Sequence, residues 1–196
     1  MIFIFFKRFG IPDILFVFCY EFSKVPCRRL KELDARYRAR YGMSMTENPS
    51  EHLTEALAHA LVSMVAMSPR VTDAADMPEM KADALNVRIE YSGEHKGELG
   101  LIMERPLAVR FAARILGLGH PGDVYDDMVE DALKELLNVV CGHFLTLMYG
   151  YAPVLKISLP RVFTIGAAVC NVLRTNPNVC TFTVEGAPLL GQIRIR

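Results

Sequence analysis

The sequence predicts an α+β fold in which an antiparallel sheet packs against long helices. Segments with apolar residues at helical spacing, segments of alternating polarity and turn residues between the two support this prediction. Their order is one helix, two strands, two helices and then further strands. This order is typical of an α+β domain rather than of repeated β–α–β units.

Three helices are predicted from capping residues and apolar periodicity. The first begins at the polar cap Asn48 and ends before Pro69. The second begins at Pro106 and stops at Gly117. The third and longest runs over about residues 126–149, and a glycine and a proline shortly after it are expected to end it.

Strands are predicted where apolar and polar residues alternate between turn residues. The first two form a hairpin, and the last two flank Gly186-Ala187-Pro188, which is interpreted as a second hairpin turn. The predicted strands are 85–91, 98–103, 155–159, 161–165, 179–185 and 190–195.

Composition limits the classes of function. The chain has 196 residues, 52% apolar and 22% charged, with 22 basic and 22 acidic side chains. A chain of this length and composition can bury a sizeable core. Because its basic and acidic side chains are equal in number, it has no overall electrostatic field that would attract a polyanion. We therefore expect neither nucleic acid nor a membrane as a partner.

The first part of the chain differs from the rest. Residues 1–45 are interpreted as an N-terminal extension and residues 46–196 as one domain. Met1–Phe22 is apolar, but charged residues interrupt it well before the roughly 20 residues that a spanning helix needs. We hypothesise that translation starts at Met43 or Met45.

The five cysteines indicate neither a disulfide framework nor a metal site. The sequence contains no Cys-x-x-Cys, and Cys141 and His143 are two residues apart on a predicted helix, so they do not face each other. Reduced thiols in a cytoplasmic protein fit this pattern best. We expect no metal or other cofactor bound by this chain.

The most informative pattern lies on the long helix. Asp131, Glu135, Asn138 and Gly142 share one helical face, and apolar residues occupy the opposite face. Asn and Gly both weaken a helix interior, Gly by about 1 kcal/mol relative to Ala. This polar stripe therefore indicates a surface that serves a partner, although a solvated helix face is the alternative interpretation.

This pattern resembles the CheC/CheX family of chemotaxis phosphatases, and its single site resembles the CheX type. The family pattern is an acid or Ser, a Glu and an Asn on a long helix, followed by a proline near a strand. The matching positions are Asp131, Glu135, Asn138 and Pro160. Twenty-one residues separate Asn138 from Pro160, one fewer than in the family pattern, which a loop deletion near 150–153 would absorb.

The resemblance implies hydrolysis of the aspartyl phosphate on a CheY-like response regulator in chemotaxis or two-component signalling. Asn138 would orient the attacking water, and Glu135 would pair with a cation on the regulator. Asp127, Asp131 and Gly142 would form the rest of the partner-binding surface, and Pro160 would be structural. The Mg²⁺ ion near the phosphate would belong to the regulator.

Other interpretations remain open. A non-catalytic module of the same fold could dock onto a response regulator or a flagellar-motor component, because fold does not determine function. A membrane-associated structural protein that uses Met1–Phe22 is a third alternative. We also expect a symmetric homodimer, since the resemblance implies dimers formed through the sheet and the segments 179–185 and 190–195 would offer strand edges.

Overall fold

A computed structural model of the chain describes residues 48–150 and 154–196. The predictions about the extension over residues 1–45 and about Met43 and Met45 lie outside the described residues. Among the residues that are described, no helix combines the length and the apolar character needed to cross a membrane.

The described elements form runs of strands and runs of helices, as is typical of an α+β fold. In chain order they are α1 (Pro49–Val65), β1 (Arg70–Val71), β2 (Ala84–Gly93), β3 (Gly97–Glu104), α2 (Arg105–Leu116), a short 3₁₀ turn (Pro121–Asp123), α3 (Asp126–Tyr149), β4 (Leu155–Ile157), β5 (Arg161–Ile165), α4 (Ala167–Leu173), β6 (Val179–Val184) and β7 (Ala187–Ile195).

The strands form one seven-stranded sheet in which every pair of neighbours is antiparallel. β3 and β7 pair at its centre, with β2 outside β3 and β6 outside β7. β4 and β5 pair with β2, and β1 pairs with β6. The helices α1 and α3 are thus each followed by an edge strand that pairs with the hairpin of the other half, an approximate two-fold arrangement.

This two-fold arrangement does not extend to the polar stripe. Where α3 carries Glu135 and Asn138, α1 carries Glu55 and Ala58 at the same spacing. An alanine cannot position a water molecule or a partner by hydrogen bonding. The described residues therefore contain one copy of the Glu-x-x-Asn pattern.

The three long helices cover one face of the sheet, which we call the inner face. Their apolar sides share one cluster with the alternate residues Val87, Ile89 and Tyr91 of β2. The other face, the outer face, is covered only in part, by α4 and the segment that leads into β2. Met77, Met80, Ala84, Ile102, Cys170 and Leu190 form the small cluster there.

The structure confirms the α+β fold and the position of each predicted helix and strand to within a few residues. Asn48 caps α1 by accepting a hydrogen bond from the Ser50 amide at 3.0 Å, and Gly117 ends α2 with a φ of 67°. The prediction missed α4, whose seven residues are too few to show a helical period clearly.

Two predictions about the last hairpin were wrong. Its turn is Glu185-Gly186, both at positive φ, so that Ala187 and Pro188 already belong to β7. β7 is also an interior strand, because it pairs with β3 on one side and β6 on the other. The edges of the sheet are instead formed by β4 and β5 at one side and by β1 and the rest of β6 at the other.

Candidate active site on the long helix

The ends of α3 are fixed by charge and by a glycine. Asp126 and Asp127 lie in the first turn, where carboxylates favour the positive end of the helix dipole. Asp126 forms an ion pair with Arg105 at the start of α2, and the Asp127 carboxylate accepts a hydrogen bond from the Met128 amide at 2.9 Å. Gly150 ends the helix with a φ of 74°.

The rotation of α3 about its axis is fixed by its apolar side. Leu133, Leu136, Leu137, Val140 and Phe144 are fully buried in the core between the helices and the sheet. Burying such side chains contributes about 1.5–3 kcal/mol each. The polar stripe on the opposite side is therefore held at the surface by the packing of the apolar one.

Glu135 and Asn138 are adjacent on this surface but differ in exposure. Asn138 is exposed, whereas Glu135 is half-buried. Burial raises the pKa of the Glu135 carboxyl, and a hydrogen-bonding contact with the Asn138 side chain partly offsets that rise. The pair thus combines a neutral amide open to a partner with a carboxylate that has lost part of its hydration.

Asp131 does not stand free on the stripe. Its carboxylate lies 3.2 Å from the ammonium group of Lys134, which is also 3.5 Å from Glu130. Burial lowers the pKa of Lys134, but the two carboxylates outweigh it, so that the net shift is upward. Lys134 was not singled out from the sequence, although its spacing of three and four residues from two acids predicts such pairs.

Gly142 leaves an opening in the helix surface. A Cβ atom built at this position would meet no heavy atom within 4 Å, apart from its chain neighbours and the helix's own backbone. The surrounding protein therefore does not require a glycine here. The opening lies one turn beyond Asn138 on the same face, where a partner could approach the helix backbone closely.

The two remaining predicted residues lie farther from this pair. Asp127 is exposed about 16 Å along the helix axis from Asn138, given a rise of about 1.5 Å per residue. Pro160 is buried directly before β5, whose residue Val162 packs into the inner cluster. Two residues before Val162, Pro160 lies on that same inner face, which is consistent with a structural role.

Burial shifts the pKa values of the cysteine and the histidine that follow Asn138 on α3, Cys141 and His143. Burial raises the pKa of the Cys141 thiol to about 12, so that the thiolate is scarcely present at neutral pH. His143 lies against His59 of α1, with 4.2 Å between the ring centroids. Burial and the neighbouring His59 lower the pKa of His143 to about 4, so that this imidazole is neutral.

We predict that Glu135→Gln stabilises the protein at neutral pH. Because the folded state raises the carboxyl pKa above its ordinary value of 4.5, ionisation of Glu135 above that pH lowers the free energy of unfolding. The advantage of the glutamine should be smallest and constant below pH 4.5, grow as pH rises from 4.5 through the raised pKa of Glu135, and stay constant above that pKa. Urea denaturation at a series of pH values measures this difference, with Glu55→Gln on the exposed side of α1 as the control. A difference that does not change with pH would contradict the prediction.

We predict that Gly142→Ala also stabilises the protein, by about 1 kcal/mol, because alanine is the better helix former and its methyl group meets open space. Thermal denaturation measures the change. The same substitution at Gly97 is the contrasting control, since a Cβ there would lie 2.6 Å from the Arg194 carbonyl oxygen and should destabilise the fold. Destabilisation by Gly142→Ala would show that this helix surface is not open.

The sequence profile of the family described as chemotaxis phosphatase CheX matches residues 85–183, just over half of the chain. The matched segment contains Glu135, Asn138 and Pro160. A search of curated proteins finds no match.

Solved structures show the same fold. The chemotaxis protein CheX from Vibrio vulnificus is 13% identical, with a TM-score of 0.58 over 78% of this chain and 100% of that one. CheX from Desulfovibrio desulfuricans is 13% identical, with a TM-score of 0.55 over 76% and 99%. CheX from Borrelia burgdorferi, in a complex with CheY, BeF₃ and Mg²⁺, is 20% identical, with a TM-score of 0.54 over 77% and 99%. The sequence match and the shared fold together show that this chain belongs to the CheX family of chemotaxis phosphatases.

Proposed function

We propose that this chain is a phosphatase that hydrolyses the aspartyl phosphate of a CheY-like response regulator. The observation that carries the proposal is the pairing of an exposed Asn138 amide with a half-buried Glu135 carboxylate, next to the opening at Gly142. The description of the family and the complex of the Borrelia burgdorferi CheX with CheY give the class of substrate.

The reaction needs a positioned water molecule. Water attacks the phosphorus atom in line with the aspartyl oxygen, the P–O bond to the aspartate breaks, and the products are a free carboxylate and inorganic phosphate. A carboxamide suits the positioning, since it offers one acceptor and two donors and stays neutral at any physiological pH. Asn138 holds the water by these hydrogen bonds and thereby lowers the entropic part of the barrier.

Glu135 fixes the approach of the partner. A half-buried carboxylate has lost part of its hydration, so that a lysine or arginine of the regulator gains more from pairing with it than with a fully exposed acid. Since Glu135 and Asn138 are one helical turn apart, this ion pair places the amide beside the phosphoryl group. Gly142 allows a loop of the regulator to lie against the helix.

In the proposed mechanism this chain positions the water molecule and the partner. No group of three or more potential ligands among the described histidine, cysteine, aspartate and glutamate residues is arranged to hold a metal ion. In the proposed complex the Mg²⁺ ion that offsets the phosphoryl charge is bound by the regulator. The metal ion at the reaction site would therefore come from the substrate and not from this chain.

We predict that Asn138→Ala abolishes the acceleration of dephosphorylation, with a loss of about 10²–10³-fold if positioning of the water is the main contribution. Alanine is a better helix former than asparagine, so the variant should fold at least as stably as the wild type. Phosphate release from a phosphorylated CheY-like regulator measures the rate. Asn178→Ala, at an exposed asparagine in the loop before β6, is the matched control.

Full activity of Asn138→Ala would refute the assigned mechanism. If instead the wild-type protein binds the phosphorylated regulator without changing its rate of phosphate loss, the chain is a non-catalytic docking module. Loss of activity together with a lower melting temperature would also count against a specific role for the amide.

We further propose a symmetric homodimer with one site per subunit. β5 pairs with β2 on one side only, so its second edge can receive a strand from another chain. A two-fold pairing of this kind buries the same edge of both copies and leaves α3 accessible.

Light scattering at micromolar concentration should give twice the monomer mass, and Thr164→Pro should shift the measured mass to that of the monomer, because proline cannot take part in a strand ladder. A monomer mass for the wild type would contradict the proposal.

A further inference from the structure

A row of basic side chains crosses one end of the outer face, on the side of the sheet away from α3. Lys156 of β4 lies opposite Ser92 of β2. The β2–β3 register, continued by one pair, places Lys96 on the other side of Ser92. The Arg196 amide donates to the Lys96 carbonyl oxygen at 2.9 Å and so continues the β3–β7 ladder. We call Arg196, Lys96, Ser92 and Lys156 the basic row.

Two of the carboxylates near this row are paired with arginines, and a third accepts a backbone hydrogen bond. Glu90 lies 3.6 Å from Arg161, and Glu98 lies 3.7 Å from Arg88. Glu94, in the same hairpin turn as Lys96, accepts a hydrogen bond from the Val154 amide at 3.4 Å. Among the described residues, no acid forms an ion pair with the cations of the basic row, so their charges are available to a ligand.

This arrangement is unfavourable for the fold itself. Neighbouring strands lie about 4.8 Å apart, and like charges directly opposite each other on such strands are destabilising. Lys96 and Arg196 form one such pair, and Lys156 lies only one further strand beyond Ser92. The clustered cations make no ion pair within the described part of the chain that would offset this repulsion, which points to a role in binding.

The basic row borders a groove of about 260 Å³ that all four of its members line. The volume suits a small molecule rather than a protein segment. The ammonium and guanidinium groups supply charge, and the Ser92 hydroxyl supplies a neutral donor between them. Since the row spans three strand spacings, about 14 Å, it matches a chain of anionic groups better than a single one.

We propose that the basic row binds a small anion that carries two or more phosphate groups. Each phosphate offers several strong acceptor oxygens to the lysine and arginine donors. The ligand is either a soluble di- or triphosphate or the phosphorylated headgroup of a lipid. Because the row lies on the outer face and α3 covers the inner face, this site is separate from Asn138 and does not depend on the proposed phosphatase activity.

Calorimetric titration of the full chain with inorganic tripolyphosphate at low ionic strength tests the proposal. The wild type should bind one equivalent per chain. Lys96→Gln/Lys156→Gln should weaken binding by at least about tenfold, which corresponds to about 1.4 kcal/mol. Lys96→Arg/Lys156→Arg should bind like the wild type, because it keeps both charges.

Arg70→Gln/Lys81→Gln is the matched control, since it removes two exposed charges from another part of the described surface. An equal loss of affinity in this variant would overturn the proposal by showing non-specific attraction. The Lys96→Gln/Lys156→Gln variant should melt no lower than the wild type, because it relieves repulsion between like charges; a lower melting temperature would mean that the lysines serve the fold.

Two further binding measurements complete the test. Sedimentation with vesicles that contain cardiolipin, whose headgroup carries two phosphates, distinguishes the sources: binding to vesicles but not to tripolyphosphate would make a lipid headgroup the ligand, and binding to neither would refute the site. Asn138→Ala should bind tripolyphosphate like the wild type, so that failure of the phosphatase mechanism and failure of this site are distinguishable.

Discussion

The burial of one side of α3 is the interaction on which the candidate site depends. Leu133, Leu136, Leu137, Val140 and Phe144 fill the core between the sheet and the other helices, and their spacing allows only one rotation of the helix. A rotation by one residue would carry the polar stripe toward apolar surroundings. The positions of Glu135 and Asn138 are therefore set by side chains that are buried in the core.

The boundary of this buried side explains the character of Glu135. It lies where the core meets the solvent, so its carboxylate is partly desolvated and its pKa is raised. Asp131, one turn earlier, is paired with Lys134 within the same helix, whereas Glu135 has the neutral Asn138 amide as its neighbour. Of the two acids, Glu135 consequently has more to gain from a cation that a partner brings.

Much of this arrangement could be predicted from the sequence because it follows from local patterns. Apolar periodicity and the glycine at its end predicted the full length of α3, and the spacing of Asp131, Glu135, Asn138 and Gly142 predicted that they share one face. What the spacing could not show was how deeply each residue lies, since burial at the edge of a helix depends on distant elements. The half-burial of Glu135 and the interior position of β7 are of this kind.

The grouping of the four residues of the basic row likewise could not be predicted from local patterns in the sequence. Ser92 and Lys96 are close in the sequence, but Lys156 and Arg196 join them only through the pairing of four strands. No periodicity in a single segment indicates that these residues meet. The charge balance of the whole chain also conceals them, because its acidic and basic residues are equal in number.

We propose that the surface around Glu135 and Asn138 receives the phosphorylated regulator. Cross-saturation in nuclear magnetic resonance, with a CheY-like regulator held in its activated form by BeF₃ and Mg²⁺, measures this directly. We predict that the largest signal losses fall on the backbone amides of Glu135, Asn138 and Gly142. Losses confined to α1 or to the outer face of the sheet, with these three amides unaffected, would contradict the account.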